Sequence, residues 1–131
     1  MAEHENFAHG SFIWYELAST DSEASKKFYT ELLGWKLKRG DVEGMEYNEI
    51  MVGDKPSGAI YQMGSEYGNA PSHWMAYVAV DDVDASAKRV EELGGKVCIP
   101  PTDIPNVGRF CVINDPSGAT LSLITMSGVP S

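Results

Sequence analysis

The sequence is short of most features that would define its function early. It has two cysteines, Cys98 and Cys111, with neither the number nor the spacing of a disulfide framework or a zinc site. They read as two small buried thiols in a reducing compartment, and so as a cytoplasmic protein. There is no run of Lys and Arg, and the net charge is −9. A phosphate-backbone partner calls for clustered basic residues, so the charge argues against nucleic acid and against an anionic membrane surface. No apolar stretch approaches the length of a membrane span. The start, Met-Ala-Glu-His-Glu-Asn, is too polar and acidic for a signal peptide. No P-loop, dinucleotide fingerprint or supported Ser/His/Asp arrangement is present.

What is present is a repeat. The tetrapeptide Pro-Ser-Gly-Ala occurs at Pro56–Ala59 and again at Pro116–Ala119, 60 residues apart. Each copy follows a polar turn and precedes a short apolar run, and each reads as a turn in which Gly supplies a positive φ. Ser11–Ala18 reads as a strand, rich in β-formers. Asp21 and its neighbours offer helix-capping chemistry. Ala24, Phe28 and Leu32, with Tyr29 and Leu33, recur at helical spacing up to Gly34. Trp35–Arg39, Glu46–Val52 and Ala59–Met63 follow as strands.

The second half repeats the order after a linker at Gly64–Ser72. Trp74–Val80 is strand-like. Asp81-Asp82 caps a helix with Val83, Ala87, Val90 and Leu93 on one face. Lys96–Ile99 is a short strand. Pro100–Asn106 reads as a loop, because its prolines lack ladder donors. Gly108–Ile113 and Ala119–Met126 complete the set. The helices align at an offset of 61, pairing Ala18 with Ala79, Leu32 with Leu93 and Gly34 with Gly95. The turn repeat needs 60, so one residue is lost between helix and turn.

The pattern predicts an α+β fold of two tandem βαβββ modules, about 8–64 and 72–127, in one domain spanning 1–131. One such module leaves a sheet face exposed. Two would form an eight-stranded curved mixed sheet around a cavity, with the helices outside.

That order, together with Phe28–Trp35, Val80-Asp81-Asp82-Val83 and Asp115-Pro116-Ser117-Gly118-Ala119, resembles the vicinal oxygen chelate superfamily. This group includes glyoxalase I, extradiol dioxygenases, and fosfomycin- and bleomycin-resistance proteins. The resemblance covers nearly the whole chain. In metal-dependent members of that superfamily, ligands occupy the first and last strand of each module. The resemblance puts those positions at Trp14, Tyr61 or Gln62, Met75 and Ser122, and the 60-residue offset favours Gln62. Indole, thioether and hydroxyl groups do not suit a divalent cation, so the resemblance implies a member without a metal or other cofactor.

Period two places Glu16 on the face of Trp14, and His73 on that of Met75. A shifted metal site of Glu16, His73 and Gln62 is the alternative, against His73 as a plain loop residue. Glu16 is the candidate acid or base, unless it pairs with a Lys or Arg. Trp14, Tyr61, Met75 and Tyr77 either line a pocket for an organic ligand or fill a core of the same composition. Arg109 either anchors an anionic group or pairs with an acidic residue. His4 and His9 carry no metal role in this reading.

Three functions remain open. The first is metal-free binding of a small organic molecule, as in bleomycin-binding proteins, within a homodimer. The second is a lyase, isomerase or dioxygenase with shifted ligands or with cofactor-free chemistry through Glu16. The third is a non-enzymatic interaction domain with a filled core.

Overall fold

The computed structural model describes residues 7–42 and 45–127. Two compact units emerge: Trp14–Met75, and the chain from Ala76 on with the segment up to Ile13. The eight strands and two helices follow the order β-α-β-β-β twice, which is the expected α+β pattern.

In the first module, β1 (Phe12–Ser19) is followed by α1 (Ser22–Leu33), β2 (Lys36–Val42), β3 (Met45–Val52) and β4 (Lys55–Gln62). Its strands lie in the order β2-β3-β4-β1. The β1/β4 pair is parallel and the others antiparallel. In the second, β5 (His73–Ala79), α2 (Val83–Glu92), β6 (Lys96–Ile104), β7 (Gly108–Asn114) and β8 (Thr120–Met126) take the order β5-β8-β7-β6. Again only β5/β8 is parallel.

The helix signals hold because they are local. Asp21 accepts from the amide of Ala24, and Asp82 from those of Asp84 and Ala85. Gly34 closes α1 in the left-handed region, at φ 72°. The first core joins Leu17, Ile50 and Ile60 with Tyr29, Trp35 and Leu37. The second joins Val78, Val80, Val83, Ala87, Cys111 and Leu123.

Two expectations fail. Pro100 and Pro101 lie inside β6 rather than in a loop. This strand ends the order of its module, and its pairing with β7 shifts register between Val97 and Ile99 and again before Thr102. An edge strand with bulges tolerates missing donors.

The two Pro-Ser-Gly-Ala copies are not equivalent either. The second is the expected turn: Gly118 has φ 99°, and Asp115 Oδ1 accepts from the amides of Ser117 and Ala119 and from the Ser117 hydroxyl. The first copy lies within β4, and its turn is Gly53-Asp54 instead, with φ 62° at Gly53. Gly58 is needed for a different reason. It faces Tyr15 across the ladder, where a Cβ would stand 2.0 Å from the Tyr15 carbonyl oxygen.

Strand register gives the true correspondence between modules. Ile60 pairs with Leu17, and Leu123 with Val78. The first-strand residues are 61 apart and the last-strand residues 63 apart. Residues are gained between helix and last strand, not lost. Gln62 therefore corresponds to Thr125, Tyr61 to Ile124, and Ala59 to Ser122.

Candidate functional site

The register decides where each candidate side chain points. Leu17 faces the core beneath α1, so Trp14 and Glu16 do not share that face. On β3, Tyr47 stands directly opposite Tyr61 of β4, and their rings lie 6.3 Å apart at 24°. Tyr47 is the centre of the polar arrangement. Trp14 Nε1 donates to its oxygen at 2.8 Å, and the Tyr47 hydroxyl donates to Glu16 Oε2. Trp14 is only 3% exposed, so the donor behind Tyr47 is fixed in place.

Donor and acceptor roles are forced. An indole N–H can only donate, so it occupies Tyr47 as an acceptor. The single phenolic proton of Tyr47 then goes to Glu16. A carboxylate that accepts a hydrogen bond is favoured in its ionised form and held in one orientation. Beside it, the Tyr61 and Tyr67 hydroxyls are 3.0 Å apart. Burial first, and then the Tyr67 hydroxyl, push the Tyr61 phenol above its ordinary value, with the Glu16 charge adding to the effect. Tyr61 therefore stays protonated and remains available as a donor.

His73 lies at the edge of this group, its ring 6.3 Å from that of Tyr67. Its Nδ1 donates to the Pro71 carbonyl at 2.9 Å, which fixes that tautomer.

Gln62 is not part of the cluster, and the preference for it over Tyr61 is overturned. Its Oε1 accepts from the Ser22 amide at 2.9 Å, and its Nε2 donates to the Thr20 carbonyl at 2.9 Å. Its amide thus ties the turn that leads into α1. Thr125 performs the same task in the second module, accepting from Val83 N and donating to Val80 O at 2.9 Å each. The Gln62 member of the shifted metal set is committed to that turn. Among the described residues no group of three or more His, Cys, Asp or Glu is placed to hold a metal ion.

Arg109 takes the second of its two expected roles. It forms a two-pronged ion pair with Asp84 at 2.9 and 3.1 Å and a further contact with Asp103 at 3.1 Å. The guanidinium in turn holds the Asp84 carboxyl below its usual range. Tyr77 and Ser122 face each other in register on β5 and β8. Ser122 is fully buried, and its hydroxyl has no hydrogen-bond partner among the described residues. Met75 shares the face of Tyr77 on β5. His9 accepts from the Asp81 amide at 2.9 Å, and His4 lies outside the described residues.

The correspondence between modules shows where the polar chemistry is concentrated. Trp14, Glu16, Tyr47 and Tyr61 in the first module answer to Met75, Tyr77, Phe110 and Ile124 in the second. The carboxylate belongs to the first module alone. Tyr47 and Tyr67 were missed from sequence. Tyr47 was within reach, because the turn at Gly53-Asp54 closes a hairpin whose register sets it opposite Tyr61.

Residues 11–123 match the family model described as Glyoxalase/Bleomycin resistance protein/Dioxygenase superfamily. The chain is 36% identical over 116 residues to a putative glyoxylase, CFP32, of Mycobacterium tuberculosis, covering 88% of this chain and 44% of that protein. It is 35% identical over 130 residues to the anthracycline biosynthesis protein DnrV of Streptomyces peucetius, covering 89% and 47%. The chain thus spans less than half the length of these relatives. Among solved structures it is similar to Streptomyces coelicolor methylmalonyl-CoA epimerase in complex with 2-nitronate-propionyl-CoA. The TM-score is 0.64 at 17% identity, over 95% of this chain and 99% of that one, a likeness of fold.

Proposed function

The chain belongs to the glyoxalase/bleomycin resistance protein/dioxygenase superfamily, and from that premise we propose that its first module binds a small organic molecule against Tyr47 and Tyr61, with Glu16 as the polar anchor. The observation that carries this reading is the chain of hydrogen bonds from Trp14 through Tyr47 to Glu16. It fixes a hydrogen-bond acceptor beside two near-parallel aromatic rings. Such a surface suits a flat, conjugated molecule bearing a hydroxyl or another donor. A relative named for anthracycline biosynthesis is in keeping with a ligand of that kind.

No metal enters this reading, because the donors at the positions in question do not suit one. Trp14 and Met75 offer an indole and a thioether, the Tyr61 phenol is held protonated, and Gln62 is committed to the helix turn. The free thiols are in keeping with a reducing, cytoplasmic setting. No helix among the described residues is long and apolar enough to cross a membrane.

A second reading rests on the Glu16 carboxylate lying close enough to the Tyr61 phenol for its charge to help hold that phenol protonated. An ionised carboxylate near a protonated phenol can remove a proton next to a carbonyl while the phenol donates to the developing oxyanion. The putative glyoxylase among the relatives fits that class.

Calorimetric titration with 1-hydroxyanthraquinone and with 2-oxo acids, against the wild type, Glu16→Gln and Tyr47→Phe, tests both readings. Binding of the hydroxyquinone weakened at least about tenfold by either substitution is expected, the loss of one hydrogen bond to a charged group. Undiminished binding by Glu16→Gln would remove Glu16 as the anchor.

A further inference from the structure

Among the described residues, the segment between β4 and β5 is held mainly at its two ends. Met63 N donates to the Ser19 carbonyl at 2.8 Å, and Ser72 Oγ accepts from the Thr20 amide at 2.9 Å. Both ends are thus tied to neighbouring residues where β1 stops, which closes residues 63–72 into a compact Ω-shaped loop. The backbone bonds inside it are local. Tyr67 N donates to Gly64 O, Gly68 N to Ser65 O and Ala70 N to Tyr67 O, around a short 3-10 turn at Ser65–Tyr67. Between Gly64 and Ser72 only Tyr67 and Ala70 are half-buried, and the rest are exposed. From the middle of the loop, Tyr67 reaches inward. Its hydroxyl lies 3.0 Å from that of Tyr61, and its ring 6.3 Å from that of His73. Glu66 is near enough for its charge to be felt at the Tyr61 phenol. Just past the turn stands Gly68, at φ 60° and ψ −126°, a conformation that L side chains rarely adopt. Pinned ends, a glycine pivot, little buried apolar surface and one side-chain hydrogen bond at the tip describe a segment that opens as a unit.

We propose that residues 64–72 are a lid over the Tyr61 end of the aromatic surface, and that Tyr67 is its latch. In the latched form Tyr67 engages the Tyr61 hydroxyl. In the open form that hydroxyl is released to an entering molecule. A single neutral hydrogen bond shifts such an equilibrium by about three- to tenfold, so the open form is a minor but accessible state. The latch also selects what enters. A molecule with a carbonyl or similar acceptor oxygen replaces the bond that Tyr61 gives up, and a purely apolar one leaves it unmade. What passes the lid rests on the ligand reading given above; the motion of the lid does not.

Amide hydrogen exchange, and acetylation of tyrosines by N-acetylimidazole with peptide mapping, test it on the full chain without ligand. The Tyr67, Gly68 and Ala70 amides should exchange together, at least about tenfold faster than the ladder amides of β1 and β4. Tyr67→Phe, which keeps the ring, should speed loop exchange and Tyr61 acetylation about three- to tenfold, with the ladder amides changed less than about twofold. Gly68→Ala leaves both hydroxyls in place. Its Cβ would meet nothing within 4 Å, so it acts through the strain of the positive φ, and it should speed both at least about fivefold. Loop amides that exchange no faster than the ladder overturn the lid. So does a Tyr67→Phe variant with wild-type loop exchange and Tyr61 acetylation. Ladder amides that accelerate as much as the loop do so too, since Tyr67 would then be a plain structural tie. A lid that opens as expected, beside a Glu16→Gln variant that still binds the hydroxyquinone, would uphold the lid and fault the anchor.

Discussion

Replacing Gly58 with Ala should be far more damaging than replacing Gly118, although the two glycines occupy the same place in identical tetrapeptides. At Gly118 a Cβ meets nothing within 4 Å, and the cost is that of φ 99° alone. For an L-residue in that region this is about 1–2 kcal/mol. At Gly58 the backbone is not in the positive-φ region, and the cost is steric. The new Cβ would lie 2.0 Å from the Tyr15 carbonyl oxygen and 3.1 Å from its carbonyl carbon. Ordinary contact begins more than 1 Å further out, and the obstacle is backbone in a parallel ladder, not a side chain that can rotate. Relief requires β1 and β4 to part locally by about 1 Å from their usual spacing near 4.8 Å. Two stretched ladder bonds, at about 1 kcal/mol each, and overpacking strain of about 1–3 kcal/mol give a loss of roughly 3–5 kcal/mol. At this chain length 1 kcal/mol corresponds to about 3–4 °C in Tm. Gly58→Ala should therefore lower Tm by about 10 °C or more, and Gly118→Ala by about 3–8 °C, measured by differential scanning calorimetry. Glu16 pairs with Ala59, the next rung of that ladder, so Gly58→Ala should also weaken any ligand that depends on Glu16. Equal losses, or a larger loss at Gly118, would refute the reading of β4.

Burial and hydrogen bonding set two further outcomes. Cys98 is exposed and Cys111 buried, its thiol pushed up by that burial, so a thiol reagent should modify one cysteine fast and the other only on unfolding; Cys98→Ser should abolish the fast phase, and a fast phase that survives would contradict the assignment. The Ser117 hydroxyl, with the amides of Ala119 and Ser117, holds the Asp115 carboxyl below its usual range. Its folded value thus lies below its unfolded one, so its contribution is present above about pH 4 and is lost as the pH falls through the folded value. Denaturant midpoints should fall less between pH 6 and pH 3 for Asp115→Asn than for the wild type, and an identical fall would count against that role.

The sequence disclosed what is decided locally. Asp21, Asp82 and Gly34 cap helices through groups two to four residues away, so their spacing was sufficient. The α1 line was legible as a helix but not as an outward face, because period 3.6 marks a side without saying what covers it. Pro100 and Pro101 argued for a loop, since nothing in the local sequence says that a strand lies at an edge. Pro-Ser-Gly-Ala was the most misleading signal. Identical residues form a turn after Asn114 and a strand after Lys55, because Gly58 answers to the carbonyl of Tyr15, a residue 43 positions earlier. The 60-residue offset taken from it brought Gln62 forward as a ligand and left Tyr47 unnoticed.

Once the offset at the last strand is set to 63, the repeat separates scaffold from chemistry. Positions that secure each helix turn keep their role under substitution: Gln62 and Thr125 each accept from the amide that opens the helix and donate to a carbonyl just before it, with different side chains. Positions on the other face have diverged in character. Trp14, Glu16, Tyr47 and Tyr61 are linked by hydrogen bonds and stacking, whereas Met75, Phe110 and Ile124 can supply only apolar surface. A duplicated fold needs both modules for its architecture, and the carboxylate is held in the first alone. The presence of Glu16 in the first module and of Tyr77 at the matching place in the second is the asymmetry on which the proposed role of Glu16 rests.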